Sequence, residues 1–377
     1  MITATNVDAT AVNTIDWLSA PDTTIVVPVY QRQYRWDIGG CEQLLRDVRA
    51  VADAADADTH FIGSILSTAA DADSADDAHL VLIDGQQRIT TLMLLIAALH
   101  HTLVRDDPAT ASELERVLVR VDDPATTKLR PHRAWADVFE SVVLDRRSPE
   151  ESNRVSRFDD NYAFFRSQIR PDEAAHIWRG LRRLEHVSIT LGAGANAQQI
   201  FESLNSTGEP LRDHELIHNY VLMGLTHREQ TEIEREYWLP IEENTGDEIG
   251  AFWRHYLVML TGREVTVSGG RGVYDTFRAR FPRLDVRALR SHAAQWREYS
   301  EVYRTLIAPA AIDEPRVREQ LTWLNTFGRG MYPLMMGLYR AYRRGELPTE
   351  KLVQAVEYVQ SLLLRREILG LLSLIHI

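Results

Sequence analysis

The sequence predicts an α+β protein, with a mixed α/β N-terminal part followed by a mostly helical part. Apolar runs at residues 23–29 and 79–83 have the composition of buried strands, and a helical pattern follows each of them. From Glu232 onward, apolar residues recur almost throughout at helical spacing. These patterns predict a first domain at residues 1–231 and a helical domain at residues 232–377.

Composition limits the functions open to the chain. Its 377 residues suffice for two domains, and the chain contains neither a long apolar run nor a secretory signal. We therefore expect a cytoplasmic protein with no membrane partner. The net charge of -12 requires any nucleic-acid contact to use a local basic patch. The single Cys41 excludes an internal disulfide framework and a cysteine-rich zinc site.

Arginine carries nearly all of the positive charge. Lysine occurs only at positions 128 and 351, so 42 minus 2 leaves 40 arginines. An arginine and aromatic segment follows the first predicted strand, at residues 29–36. Such rings can stack on a base or sugar while the guanidinium groups hold phosphate. Packing of these rings in the core, with the arginines reaching the surface, is the alternative.

The next elements are a helix over residues 38–51 and a short strand over residues 61–66. Gly63 within this strand indicates a backbone that another group approaches closely. Helices are also expected over residues 135–143 and 159–168, and a further strand is expected after them at residues 186–191.

An apolar strand, a polar turn and a helix start follow one another at residues 79–92. The first N–H groups of a helix lack internal partners, and its macrodipole adds roughly half a positive charge, so this junction is a natural anion site. Gly85 allows close approach to the backbone, Arg88 offers a planar fork for phosphate, and Asp84 can hold a metal ion or orient a water. A structural connection capped by Asp84 is the competing interpretation.

Two further motifs resemble known sites. Residues 192–197 match the Gly-x-Gly-x-x-Ala dinucleotide fingerprint, but no βαβ repeat follows, so a Rossmann site is not expected. Residues 214–218 have the His-Glu-x-x-His spacing that places two histidines on one helix face. A zinc hydrolase using His214 and His218 is therefore a remote alternative. No Walker A sequence is present, which excludes an ordinary P-loop site.

Three segments together resemble one protein family. Residues 28–36, 84–92 and 201–220 are similar to the Pro-Tyr-Gln-Arg, DGQQR-x-TTL and F-x-x-LN-x-x-G-x-x-L motifs of GmrS-like N-terminal domains. These domains belong to the ParB/sulfiredoxin-like superfamily and occur in GmrSD-type, modification-dependent restriction enzymes. The resemblance covers residues 14–225 and departs from the family at Arg212, Glu215 and His218. It implies a ParB-like core and a nucleoside triphosphatase that uses Mg²⁺ and favours GTP.

The resemblance also implies which residues form the site. Asp84, Gln87 and Arg88 would be catalytic, with Asp84 also holding the metal. The implied nucleotide contacts are Gln31, Arg32, Gly85, Gln86 and Thr90. The implied partner is modified double-stranded DNA, with phosphorothioated DNA as one branch of the family. Its candidate contacts are Pro28, Tyr30 and Arg35, and a basic cluster of the helical domain at Arg340, Arg343 and Arg344.

The function expected from these observations is an NTP-hydrolysing sensor in a type IV anti-phage restriction protein, which would control a nicking nuclease. The strongly apolar residues 362–377 predict that the chain continues, toward an HNH-type nuclease domain. A non-enzymatic DNA-binding module is the main alternative. Assembly into a homo-oligomer is left open.

Overall fold

A computed structural model describes residues 7–21, 23–55, 58–69, 80–131, 133–146, 156–192, 195, 197–204, 211–265, 271–282 and 285–369. The chain forms two compact units, Met1–Pro210 and Leu211–Ile377. The division falls before the predicted position of 231 because the helix Asp213–Leu222 packs against helices of the second unit. Residues 205–210 of the third family motif, most of the dinucleotide-like motif and residues 370–377 lie outside the described residues.

The first unit contains a six-stranded mixed sheet. Its strands are β1 (Val7–Asn13), β2 (Ile25–Val26), β3 (His60–Ala69), β4 (Leu80–Asp84), β5 (Leu129–Arg130) and β6 (Leu184–Leu191), in the spatial order β1-β6-β3-β4-β2-β5. Strand β3 pairs parallel to β6 and antiparallel to β4. The β3–β6 register shifts between Phe61 and Ser64, so β3 carries a bulge there.

The helices of the first unit enclose this sheet. They are α1 (Thr14–Ser19), α2 (Ile38–Asp53), α3 (Gln86–Leu103), α4 (Pro108–Leu118), α5 (Arg133–Val143), α6 (Arg157–Gln168), α7 (Ala174–Leu181) and α8 (Ala197–Leu204). Helix α3 is the centre of the core, because its side chains from Ile89 to Leu99 are all buried. A helix that is apolar on every side is stable only when other elements cover it all round.

The second unit is helical throughout its described residues. Its helices are α9 (Asp213–Leu222), α10 (His227–Ile233), a π-helical stretch (Glu234–Trp238), α11 (Leu239–Thr245), α12 (Ile249–Thr261), α13 (Gly272–Arg280), α14 (Val286–Ile307), α15 (Pro315–Asn325), α16 (Tyr332–Arg343) and α17 (Thr349–Ile368). Its core is aromatic, with Trp238, Trp253 and Trp296 in successive ring contacts. None of the described helices of either unit is long and apolar enough to span a membrane.

These elements confirm the predicted α+β class. The predicted strand at residues 23–29 is shorter than expected, since only Ile25–Val26 pairs as β2. Strand β1 was not predicted. Its residues are mostly exposed at the sheet edge, so the strand lacks the apolar pattern by which strands are recognised.

Helix α7 packs closely against helix α2 at Gly180. A Cβ atom at this position of α7 would lie 2.1 Å from the Val48 carbonyl oxygen of α2. We expect Gly180→Ala to lower the free energy of unfolding by about 1–3 kcal/mol, as overpacking does when backbone must move. Gly337→Ala, in α16 with nothing within 4 Å, is the matched control and should be neutral or stabilising. Urea unfolding of both variants tests this, and equal stabilities would contradict it.

Candidate functional site

The DGQQR segment forms the predicted strand, turn and helix. Strand β4 ends at Asp84, Gly85 is the N-cap, and α3 begins at Gln86. Gly85 has φ +101°, a left-handed conformation that glycine adopts without strain. A Cβ atom there would also lie 3.2 Å from Ile65 Cγ1 of β3. The glycine is thus required by its backbone angle and by the close packing of β3 against the turn.

Arg88 is held against the bulge of strand β3. Its Nη1 donates a hydrogen bond of 2.8 Å to the Ile62 carbonyl, and its Nη2 lies 3.6 Å from Asp84 Oδ2. The side chains of Arg88 and Asp84 are both about one quarter exposed. Gly63, with φ +100°, leaves the space in which the guanidinium lies. The close approach predicted at Gly63 is therefore confirmed, and the approaching group is Arg88.

A cavity of about 350 Å³ opens beside Arg88, between α2, α3 and β3. Its walls combine two aromatic rings, three aliphatic side chains and three ionisable groups, which are Trp36, Phe61, Leu44, Ile62, Leu92, Asp47, His60 and Arg88. Gln43 donates a 2.7 Å hydrogen bond to Asp47 Oδ1, and His60 Nε2 lies 3.6 Å from Asp47 Oδ2. The cavity thus has a cationic group, an acidic group and aromatic surfaces, the mixture expected of a small-molecule site.

Gln87 has a structural partner on each side of its amide. Its Oε1 accepts hydrogen bonds from the backbone N–H groups of Arg35 and Trp36, at 2.8 and 3.2 Å, and its Nε2 donates to the Gln33 carbonyl at 3.3 Å. Gln87 therefore fixes the segment that carries Trp36 into the cavity wall. In this conformation both lone pairs of its amide oxygen are used, so the oxygen cannot also accept a hydrogen bond from a reacting water.

Other predicted nucleotide contacts are also internal. Gln31 donates a 2.6 Å hydrogen bond to the Ile83 carbonyl and so ties its segment to the end of β4. Gln86 and Thr90 are buried, and neither they nor Gly85 lines the cavity. The Gln86 Oε1 atom receives no hydrogen bond from a described group. Among the predicted residues of the DGQQR segment, Arg88 is the one that reaches the cavity.

The predicted DNA contacts of the first unit differ in their exposure to solvent. Pro28 and Tyr30 are buried, and burial raises the pKa of Tyr30. Arg35 is exposed and Arg32 is partly buried. In this conformation a nucleic-acid backbone can approach the arginines of the segment, whereas the proline and tyrosine pack inside.

His186 is a residue near the site that the sequence did not indicate. It lies on β6 with a fully buried ring, and its Nδ1 is 3.0 Å from Thr14 Oγ1. Burial, and then the positive charge of Arg88, lower the pKa of His186 to about 4. No described group bonds to its Nε2. A lone histidine in a predicted strand carries no sequence signal for this position, because the position depends on strand order.

Because the pKa of His186 is lowered in the folded protein, we expect the protein to lose stability in acid. The unfolded chain takes up a proton near pH 6.5 and the folded chain near pH 4, so unfolding is favoured increasingly as the pH falls through this window. The difference corresponds to about 3 kcal/mol. Denaturant unfolding at pH 7.5 and 4.5 should show a smaller acid loss in His186→Gln than in the wild type. An identical acid loss in both proteins would contradict the assignment to His186.

The predicted basic cluster of the second unit is paired with acidic side chains. Arg340 and Arg344 both bond to Glu298 of α14, at 2.8 and 2.7 Å, and Arg343 bonds to Glu301 at 3.1 Å. Burial by itself raises the pKa of Glu298, but the hydrogen bonds from Arg340 and Arg344 lower it overall. These arginines hold the end of α16 against α14, and the carboxylates of Glu298 and Glu301 offset their positive charge.

The His-Glu-x-x-His spacing does fall on helix α9, but the His218 side chain is engaged in packing. His218 Nε2 lies 2.6 Å from Glu234 Oε2, and its ring stacks on Trp238 at 4.2 Å. Among the described residues, no group of three histidine, cysteine or acidic side chains is arranged to hold a metal ion. The donor set that a zinc hydrolase needs is therefore not assembled around His214 and His218 in the described part of the chain.

Comparison with known protein families matches nearly the same residues as the three motifs. No curated protein matches the chain. The family profile described as "GmrSD restriction endonuclease, N-terminal domain" matches residues 14–222, which include the whole DGQQR segment and all residues around the Arg88 cavity. Because this match covers more than half of the 377 residues, the chain belongs to the GmrSD N-terminal domain family and is a protein of a restriction system.

Proposed function

We propose that this chain is the nucleoside-triphosphate-hydrolysing sensor of a restriction system, with GTP as the favoured substrate. The observation that carries the proposal is Arg88 in the wall of a 350 Å³ cavity that also presents the rings of Trp36 and Phe61. A guanidinium fork suits phosphate oxygens, and aromatic faces suit a nucleobase. A nucleoside triphosphate uses both surfaces at once.

Phosphoryl transfer depends on charge neutralisation and positioning more than on covalent chemistry. Arg88 supplies positive charge in the cavity, and its hydrogen bond to Ile62 limits its freedom before the ligand arrives. Asp84 does not line the cavity, but its carboxylate lies 3.6 Å from Arg88 and is the group that would hold Mg²⁺ near the phosphate oxygens. Mg²⁺ would neutralise the negative charge of those oxygens. Because the Gln87 amide is engaged on both sides, we assign Gln87 to positioning of the 33–36 segment.

The proposed output is control of a nuclease in response to modified DNA. Arg35 is exposed and Arg32 partly buried, so these two residues of the aromatic and arginine segment are the proposed contacts of the DNA backbone. Gln87 bonds to the backbone of Arg35 at 2.8 Å and stands next to Arg88 in α3. A DNA-induced movement of Arg35 therefore has a direct path to the cavity.

Phosphate release tests the enzymatic part. The purified protein with Mg²⁺ should release phosphate from GTP faster than from ATP, CTP or UTP, and modified DNA should change the rate. The duplexes to compare are plain, phosphorothioated and glucosyl-hydroxymethylcytosine forms of one sequence. No phosphate from any nucleotide, with or without each duplex, would overturn the proposal.

A non-enzymatic DNA-binding module is the second candidate. The engaged amide of Gln87 favours it, because the glutamine predicted to act in catalysis is already bonded on both sides of its amide. In that case Arg88 would hold a DNA phosphate. Gel shifts with the same duplexes in the presence of GMPPNP separate the two functions. If GMPPNP and DNA compete, and Arg88→Ala weakens the binding of both, the result favours the DNA-binding module. If both bind at the same time, the result favours the sensor.

A further inference from the structure

Gly63 and Arg88 occupy one space in the first unit. For a Cβ atom built on Gly63, the three nearest atoms all belong to Arg88, with Nη1 at 1.9 Å, Cζ at 3.1 Å and Nη2 at 3.8 Å. The two residues are 25 positions apart in the chain (88 minus 63) and meet because β3 bulges between Phe61 and Ser64. The bulge turns the Ile62 carbonyl into the acceptor for Arg88 Nη1, at 2.8 Å.

We propose that Gly63 is a positioning residue for Arg88, and that the bulge around it is the seat that aims the guanidinium into the cavity. The part of this proposal that concerns phosphate rests on the proposed function. The bond to Ile62 uses one N–H of the Nη1 group, and the other N–H groups of the fork remain for a ligand. A fork that is already oriented loses less freedom on binding than a free arginine side chain.

The pairing of β3 with β6 is a second observation in favour of this proposal. In the β3–β6 register, Phe61 pairs with Glu185 and Ser64 with Val187, so His186 lies opposite the bulge. A neutral imidazole at this place does not repel the guanidinium. The seat therefore holds the Arg88 guanidinium by its hydrogen bond to Ile62 and by an ion pair of 3.6 Å with Asp84.

A double-mutant cycle tests the proposal with two independent readouts. The proteins are the wild type, Gly63→Ala, Arg88→Ala and the double variant, each as the full chain. Gly224→Ala measures the cost of a left-handed backbone alone, since Gly224 has φ +93° and nothing within 4 Å. The readouts are the urea unfolding equilibrium and the affinity for GMPPNP with Mg²⁺.

The expected result is strong coupling between the two positions. Gly63→Ala should raise the unfolding equilibrium constant by about tenfold more in the wild-type background than in the Arg88→Ala background. In the Arg88→Ala background the clash is gone, so only the backbone cost that Gly224→Ala measures remains. GMPPNP affinity should fall about tenfold or more in Gly63→Ala, as in Arg88→Ala. The double variant should bind no more weakly than Arg88→Ala.

Each other outcome has a defined meaning. Equal destabilisation by Gly63→Ala in both backgrounds overturns the proposal, and so does wild-type GMPPNP affinity in Gly63→Ala. If Gly63→Ala does not fold, a folded double variant supports the proposal and an unfolded double variant overturns it. If the wild type binds no GMPPNP, the proposed function fails, while the unfolding cycle still decides whether Gly63 positions Arg88.

Discussion

Arg88→Ala is expected to lower the rate of GTP hydrolysis by about 10²- to 10³-fold, the range for loss of one preorganised charge-stabilising group. Arg88 is the cationic side chain of the DGQQR segment that reaches the cavity, so no neighbour in that segment replaces it. Arg88→Lys should recover only part of the rate, because an ammonium group lacks the planar fork. Single-turnover hydrolysis with saturating GTP and Mg²⁺ measures the effect.

Arg170→Ala is the matched control for this experiment. Arg170 is an arginine of the same unit, 3.4 Å from Asp172, with its side chain 72% exposed. It does not line the cavity. Its replacement should leave hydrolysis within twofold, roughly the scatter expected for a surface change. If Arg88→Ala hydrolyses GTP as fast as Arg170→Ala does, Arg88 has no part in the reaction.

His218→Ala is expected to lower the free energy of unfolding by about 3–5 kcal/mol, the usual cost of breaking a buried pair and leaving one ionisable partner behind. The side chains of His218 and Glu234 are only 11% and 8% exposed and lie 2.6 Å apart. The imidazole also stacks on Trp238, so its removal opens space beside the aromatic core of the second unit. Urea unfolding followed by tryptophan fluorescence measures the loss.

Glu234→Gln provides the comparison for His218. The glutamine has nearly the same shape as glutamate and keeps a hydrogen-bonding oxygen at the same place, so its cost should be clearly smaller than that of His218→Ala. A His218→Ala protein within about 1 kcal/mol of the wild type would show that the pair contributes no more than an exposed contact. Metal analysis of the wild type adds a second check, since a stoichiometric zinc ion would restore the zinc-hydrolase interpretation.

Both proposed functions depend on the same guanidinium, and they differ in the phosphate that it meets. A nucleotide enters a cavity of about 350 Å³ that has aromatic walls. A DNA backbone instead needs an exposed basic surface, and the three arginines of the second-unit cluster are already paired with Glu298 and Glu301. The aromatic cavity beside Arg88 and the local pairing of that cluster are the reasons for placing nucleotide hydrolysis first.

Much of the fold was predictable because it depends on short-range patterns. The helices α2, α5 and α6 begin and end close to their predicted residues, and the second unit is helical as predicted, since apolar spacing and capping residues are local signals. Strand β1 and the two-residue strands β2 and β5 were not predictable as they stand. They depend on pairing with distant strands, and their own sequences show little alternation.

The candidate site shows the same division. The strand, left-handed glycine and helix start of residues 80–103 are encoded locally, and so are the cationic fork of Arg88 and the close backbone approach at Gly63. The interior positions of Pro28 and Tyr30 were not encoded in their segment, which fits a surface or a core equally well.

The sequence by itself therefore determined the family, the α+β class and the chemistry of the Asp84 to Arg88 turn, because a strand end, a glycine and a helix start act on neighbouring residues. Only the tertiary structure decided which partner each side chain has. Arg88 meets Ile62 across 26 residues, and Gln87 meets Arg35 across 52 residues. Such contacts arise from strand order and helix packing, so only the tertiary structure shows that the Gln87 amide bonds to the backbone of residues 33–36 and that Arg88 lies in the space left by Gly63.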